Sequence, residues 1–103
     1  MKKENLVVGG TYFLVTFLDQ DLLVPIIRTH IYLGANIFGE PDTGVYFQES
    51  EKYFELGRWE LGSQASIYGV VQVSDDMLDC VHDYQGLQNE LEFMIKGGAN
   101  YYE

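Results

Sequence analysis

The chain lacks most of the devices that hold or anchor a protein by means other than a folded core. Among 103 residues Cys80 is the one cysteine. No intramolecular disulfide can therefore form, and small secreted domains more often carry several. No run approaches the roughly 18 consecutive apolar residues that a membrane-spanning helix needs. At the N-terminus Lys2 and Lys3 precede only Leu6, Val7 and Val8 before Gly9 and Gly10. That apolar run is too short for a signal-peptide core, and no small-residue cleavage site follows it. These absences lead to the expectation of a cytoplasmic protein without a membrane partner.

Positive charge is scarce as well. Six bases stand against sixteen acids, for a net charge of -10. Beyond Lys2 and Lys3 the bases are Arg28, Lys52, Arg58 and Lys96. Direct binding to nucleic acid is disfavoured, because phosphate contacts require a cationic patch. Negative charge steers basic partners, and it also serves solubility.

Apolar residues are ample: 47% of the chain is hydrophobic, with eight Tyr, six Phe and one Trp. That supply is enough to offset the entropy of ordering one domain. The expectation is a single domain over 1–103, with 1–5 and 99–103 flexible.

Strand patterns fill the first two thirds. Residues 6–18 are rich in β-branched and aromatic types and predict a long strand, with Gly9 and Gly10 marking a bulge or bend. Asp19, Gln20 and Asp21 form a hairpin break, and 22–33 resumes the strand pattern. Pro25 cannot donate to a ladder, so it places its segment at an edge or a bulge. A loop follows over 34–44, with a turn at 40–43. After a short strand over 45–48, Ser50 and Gly57 bracket a brief helix over 51–56, for which Tyr53, Phe54 and Leu56 supply the buried face. A strand over 53–56 is the rival reading. Another strand covers 66–73, where Gly69 hints at a bulge.

The last third predicts one amphipathic helix. Ser74 is the N-cap before Asp75 and Asp76, and Val73 staples onto Leu78. Met77, Cys80, Val81, Tyr84, Leu87 and Leu91 recur at helical spacing. Gly86 marks a kink or break, while Lys96 and Gly97 signal the stop. The fold class that follows is α+β: a curved, mainly antiparallel sheet of four to five strands with one C-terminal amphipathic helix packed on it.

No catalytic residue is assigned. Cys80 and His82 are two apart on the predicted helix, about 200° around it, and form no dyad. Cys80 falls on the apolar face, where an inert thiol is expected. Asp75, Asp79 and His82 share the polar side, but no second element supplies further ligands, so no metal site and no cofactor are expected. Asp19 and Asp21 are followed by Leu22, Leu23, Val24 and Pro25, which rules out a calcium loop. No glycine pair has the context of a phosphate-binding loop.

The profile resembles that of bacterial immunity or inhibitor proteins: small, acidic, cysteine-poor and without catalytic signatures. The first expectation is therefore a non-catalytic interaction module that binds a basic protein. Its contact residues are Glu49, Glu51, Glu55, Trp59 and Glu60, with Asp75, Asp76, Asp79 and Asp83, since aromatic anchors ringed by charge give affinity and orientation together. The alternative is a small-ligand domain or minor enzyme with an aromatic pocket between sheet and helix, where Arg28, His30 and Tyr32 provide the polar contacts. A further alternative is a structural homodimer joined through a strand edge or the aromatic surface.

Overall fold

A computed structural model describes residues 1–18, 24–39 and 44–101, the last eight by their backbone alone. The strands are β1 (Thr11–Phe17), β2 (Pro25–Ala35), β3 (Gly44–Glu49), β4 (Val70–Ser74) and β5 (Val81–His82). They form one sheet in the order β4-β3-β2-β1-β5, antiparallel at every junction. The sheet is open. Helix α1 (Ser50–Leu56) follows β3, a 3₁₀ segment (Asp75–Cys80) links β4 to β5, and α2 (Tyr84–Tyr101) closes the chain. The fold is α+β, with the expected C-terminal helix. No helix among the described residues is long and apolar enough to cross a membrane.

Alternation assigns the side chains to two faces. On the first, Tyr12, Tyr32, Val45, Phe47, Val73 and Val81 form the main core, closed by Leu78 of the 3₁₀ segment. The rings of Tyr12 and Phe47 meet edge-on at 6.2 Å, a geometry suited to aromatic quadrupoles. Val73 and Leu78 share this core across Ser74, as the staple pattern predicts. On the second face a smaller cluster joins Leu33, Tyr46 and Trp59.

Gly9 and Gly10 do form a bulge. Gly9 N–H donates to the Tyr32 carbonyl and Tyr32 N–H donates to the Gly10 carbonyl, so two residues oppose one. Gly9 takes φ +85, open to glycine without steric cost. The regular strand consequently starts at Thr11, later than the sequence pattern suggests. Pro25 begins β2, an internal strand, yet β3 pairs with β2 only from His30 onward. Pro25 thus lies where β2 has lost its neighbour on that side, which is an edge in the local sense. The turn expected at Asp19–Asp21 and the one at 40–43 lie outside the described residues.

The predicted single helix from Ser74 is corrected. Residues 75–80 wind as a 3₁₀ segment, and Val81 and His82 then extend to pair with Leu14 and Phe13. A long-range ladder outcompetes helical periodicity here. The effective cap is Asp83, whose Oδ1 accepts from Gly86 N–H at 2.7 Å, satisfying a first-turn donor. Gly86 is therefore in the opening turn, where an added Cβ would come within 3.2 Å of that same Oδ1. The helix also runs through Gly97 to Tyr101, past the expected stop. It meets the sheet at β1 and β5, and none of its residues 84–93 is buried.

Residues 66–69 are turns rather than strand. Gly69 takes φ +69 and accepts the Glu49 amide through its carbonyl. A Cβ there would meet Lys52 and Glu49 at about 3 Å, so glycine permits the close approach. The segment between α1 and β4 is held by Gln48, a fully buried side chain. Its Nε2 donates to Gly57 O at 2.9 Å, and its Oε1 accepts from Trp59 N–H at 3.0 Å. Replacing Gln48 with Leu leaves that carbonyl and that amide unpaired. The Gln48→Leu protein is expected to lose about 2–4 kcal/mol, one to three for each orphaned group with partial relief by relaxation. Equilibrium urea denaturation checks this: an unchanged midpoint would show that the amide clamp contributes nothing.

Candidate functional site

Strand pairing brings Arg28, His30 and Glu49 together. Arg28 and His30 lie two apart on β2, hence on one face, and His30 is directly opposite Glu49 on β3. These three side chains form the partition between two clefts. The first, of about 520 Å³, opens where α1 turns away from the sheet and is also lined by Ile27, Thr29, Ser50 and Glu51. The second, of about 370 Å³, lies over the first sheet face, with Leu14, Val71, Met77 and Cys80 in its wall.

His30 is 4% exposed. Its Nδ1 lies 3.4 Å from the Arg28 carbonyl, and its ring stands edge-on to Phe47 at 6.5 Å. Burial pushes its pKa below the usual 6.5, outweighing the Arg28 carbonyl and the Glu49 carboxylate, which both favour the charged ring. Tyr32, expected beside Arg28 and His30, points instead into the core. Its ring packs at 5.2 Å from that of Phe47, and burial raises its hydroxyl pKa, with Tyr12 adding to the effect. Tyr32 lines neither cleft. Nor does any described side chain of α2, so these two clefts lie beside the β3–α1 corner and under the 3₁₀ segment.

The structure does place Cys80 and His30 in the wall of one cleft, which the sequence separation of the two hides. Among the described residues no hydrogen bond joins them, and Cys80 is half-buried. No group of three His, Cys, Asp or Glu side chains among the described residues could hold a metal ion. Asp79 ends up in the 3₁₀ segment and His82 in β5, so the helical spacing between them does not exist.

The expected acidic contact residues fall into two groups. Glu51, Glu55 and Glu60 are exposed on α1 and just beyond it, while Glu49 is half-buried at the end of β3. Asp75, Asp76 and Asp79 are exposed on the 3₁₀ segment, and Asp83 is engaged in capping α2. Asp76 accepts from the Ser74 hydroxyl. Trp59, expected as an aromatic anchor, is 5% exposed. It packs with Leu33 and Tyr46, and its Nε1 donates to Ser63 O at 3.0 Å. On α1 the exposed ring is Phe54, 83% accessible, and Tyr84 and Phe93 on α2 are exposed too. Tyr53, Phe54 and Leu56 do not form a buried face, because α1 buries none of its residues. The signal for Phe54 was available: at helical spacing its neighbours one turn back are Ser50 and Glu51 rather than an apolar stripe.

A buried neutral His30 links stability to pH. With its folded pKa lowered, the unfolded chain binds more protons between that value and about 6.5, so this contribution is complete above 6.5 and declines as pH falls below it. The imidazole proton resonance of His30 is expected to titrate with a midpoint below 6.5. The stability loss on acidification should be shallower in His30→Gln. A midpoint above 6.5 would show that Glu49, not burial, sets its charge. No family model matches the chain, and neither a curated protein nor a solved structure matches it.

Proposed function

We propose that this protein is a non-catalytic, cytoplasmic interaction module that binds a basic protein partner through α1 and the segment after it. The observation that carries this reading is Phe54, 83% exposed on a helix that buries none of its residues. A seven-residue helix is marginal in water, and most such helices persist by burying an apolar stripe. Here the largest apolar side chain is exposed one turn after Glu51, with Leu56, Leu61 and Ile67 also exposed nearby in sequence. An apolar anchor rimmed by carboxylates suits an interface in which the ring supplies contact area and the acids set orientation and on-rate. Lys52 pairs with Glu55 at 3.6 Å on the surface, a contact worth little by itself. Asp75, Asp76 and Asp79 add to the field that draws a basic partner but are not its anchor.

A small-ligand role remains the second reading, favoured by the Arg28–His30–Glu49 partition between two clefts. A metabolite screen by thermal shift addresses it: stabilisation by a compound, lost in Arg28→Ala, supports that role.

The interaction reading is tested by exchanging Phe54→Asp and Glu55→Lys together, then capturing partners from lysate of the source cells at low and high salt. The parent protein is expected to retain a basic protein at low salt. The double variant should bind it about thirtyfold more weakly, the loss typical of an interface anchor. Its stability should change by no more than about 0.5 kcal/mol, since both residues are exposed. Equal retention by both proteins would place the interface elsewhere.

A further inference from the structure

The second cleft carries one charge of each sign, and the two do not meet. Arg28 and Glu49 both line it. They lie on neighbouring strands, two positions off direct opposition, because His30 is the residue that faces Glu49. Long side chains can reach one another at that diagonal, yet among the described residues no ion pair joins these two.

Gly69 accounts for the separation. The Glu49 amide donates to its carbonyl, and a Cβ on Gly69 would lie 3.1 Å from Glu49 Oε2. The carboxylate therefore leans towards the start of β4, into room that glycine leaves open, and away from β2, the strand of Arg28. Lys52, whose Cγ would stand 2.9 Å from that same Cβ, sends its ammonium to Glu55 at 3.6 Å. His30 shares the wall, but burial keeps its ring neutral near neutral pH, so it offers Glu49 no cation.

Around these charges the wall is largely apolar, with Leu14 from β1, Val71 and Val73 from β4, and Met77 from the 3₁₀ segment. The volume of about 370 Å³ falls in the range of roughly 300–1,000 Å³ that small-molecule sites occupy. An anion in this cleft would meet Glu49 and the field of a chain of net charge -10. A cation would meet Arg28. A zwitterion with an apolar body answers both charges at once, and being neutral overall it is not repelled by the field.

We infer that the second cleft binds a free α-amino acid with an apolar side chain. Arg28 holds its carboxylate, Glu49 holds its ammonium, and its side chain packs against Leu14, Val71, Val73 and Met77. This assignment rests on the small-ligand reading of the clefts and gives that reading a ligand class. It is independent of the α1 surface, since neither Phe54 nor Glu55 lines the cleft.

The probe is L-leucine, titrated into the full chain and followed by backbone amide shifts. Binding is expected to saturate and to move the amides of Leu14, Val71 and Val73. Two analogues isolate the charges: 3-methylbutylamine lacks the carboxylate, and 4-methylpentanoic acid lacks the ammonium. Each should bind about tenfold more weakly than leucine, because each forfeits a hydrogen bond between charged groups. Arg28→Met should weaken leucine by about the same factor without weakening the amine. Glu49→Gln should weaken leucine without weakening the acid. A folding defect would weaken all three probes together, so the crossed pattern belongs to the two charges alone. The inference is overturned if leucine, methionine and phenylalanine all leave those amides unmoved. It is overturned equally if either analogue binds as tightly as leucine, or if both variants bind leucine like the parent. Should the amino acids fail while another metabolite stabilises the chain, and Arg28→Ala abolish that gain, the small-ligand reading stands and this ligand class falls. If no compound stabilises the chain, both fall.

Discussion

The buried amide of Gln48 ties together parts of the molecule that would otherwise have little reason to meet. It sits near the end of β3, fully enclosed, and its two polar atoms bind the backbone at Gly57 and Trp59. A buried amide without partners would be costly, and one with both atoms satisfied fixes the path of whatever binds it. The chain therefore cannot continue straight as a longer β3. It leaves at Ser50, makes two turns of helix, and returns at Gly57, whose φ of +84 accommodates the reversal. Three consequences come from this one constraint. Trp59 is delivered to the second sheet face, α1 is held outside the core with Phe54 outward, and β2 loses its neighbour below His30.

Local chemistry made part of this legible. Ser50 and Gly57 bracket α1 because a helix needs a permissive start and a residue tolerant of positive φ at its end. The hairpin of β1 and β2 was legible because both strands have residues of strand propensity on either side of a polar break. The break of the predicted terminal helix at 75–82 was not. Met77, Cys80, Val81 and Tyr84 keep helical spacing, yet Val81 and His82 gain more from pairing with β1, a partner some seventy residues away that no local window includes. Asp83 was readable as a second N-cap, with Gly86 three residues on to receive its carboxylate, but the stronger cap pattern at Ser74 masked it.

The candidate site was legible to a different degree. Arg28 and His30 share a face by strand period alone, so their meeting was a matter of alternation. Their junction with Glu49 depends on the register of β3, which follows from the bulge between Tyr32 and Gly34 and is set by three-dimensional packing. Ring burial was least legible of all. Trp59, Tyr32 and Phe54 look equally suited to a core or to an interface. What divides them is whether the chain carries each ring over a sheet face, as Gln48 does for Trp59, or leaves it on a helix with nothing above it.

Charge then acquires a geometry that composition alone does not have. A net charge of -10 spread evenly would attract any cation and orient none. The bases are too few to cancel this field, and Lys52 is already engaged with Glu55. Arg28 is different, because it stands on the exposed stretch of β2 beyond the last pair with β3, His30 and Glu49. On the proposed reading a basic partner is drawn in by the carboxylates of α1, whereas Arg28 shares its cleft with Glu49 and Glu51. Long-range attraction is unspecific and fast, whereas packing around an apolar anchor is short-ranged and orients what binds. In the proposed interaction the acidic surface thus governs encounter, and the exposed Phe54 on α1 governs orientation once encounter has occurred.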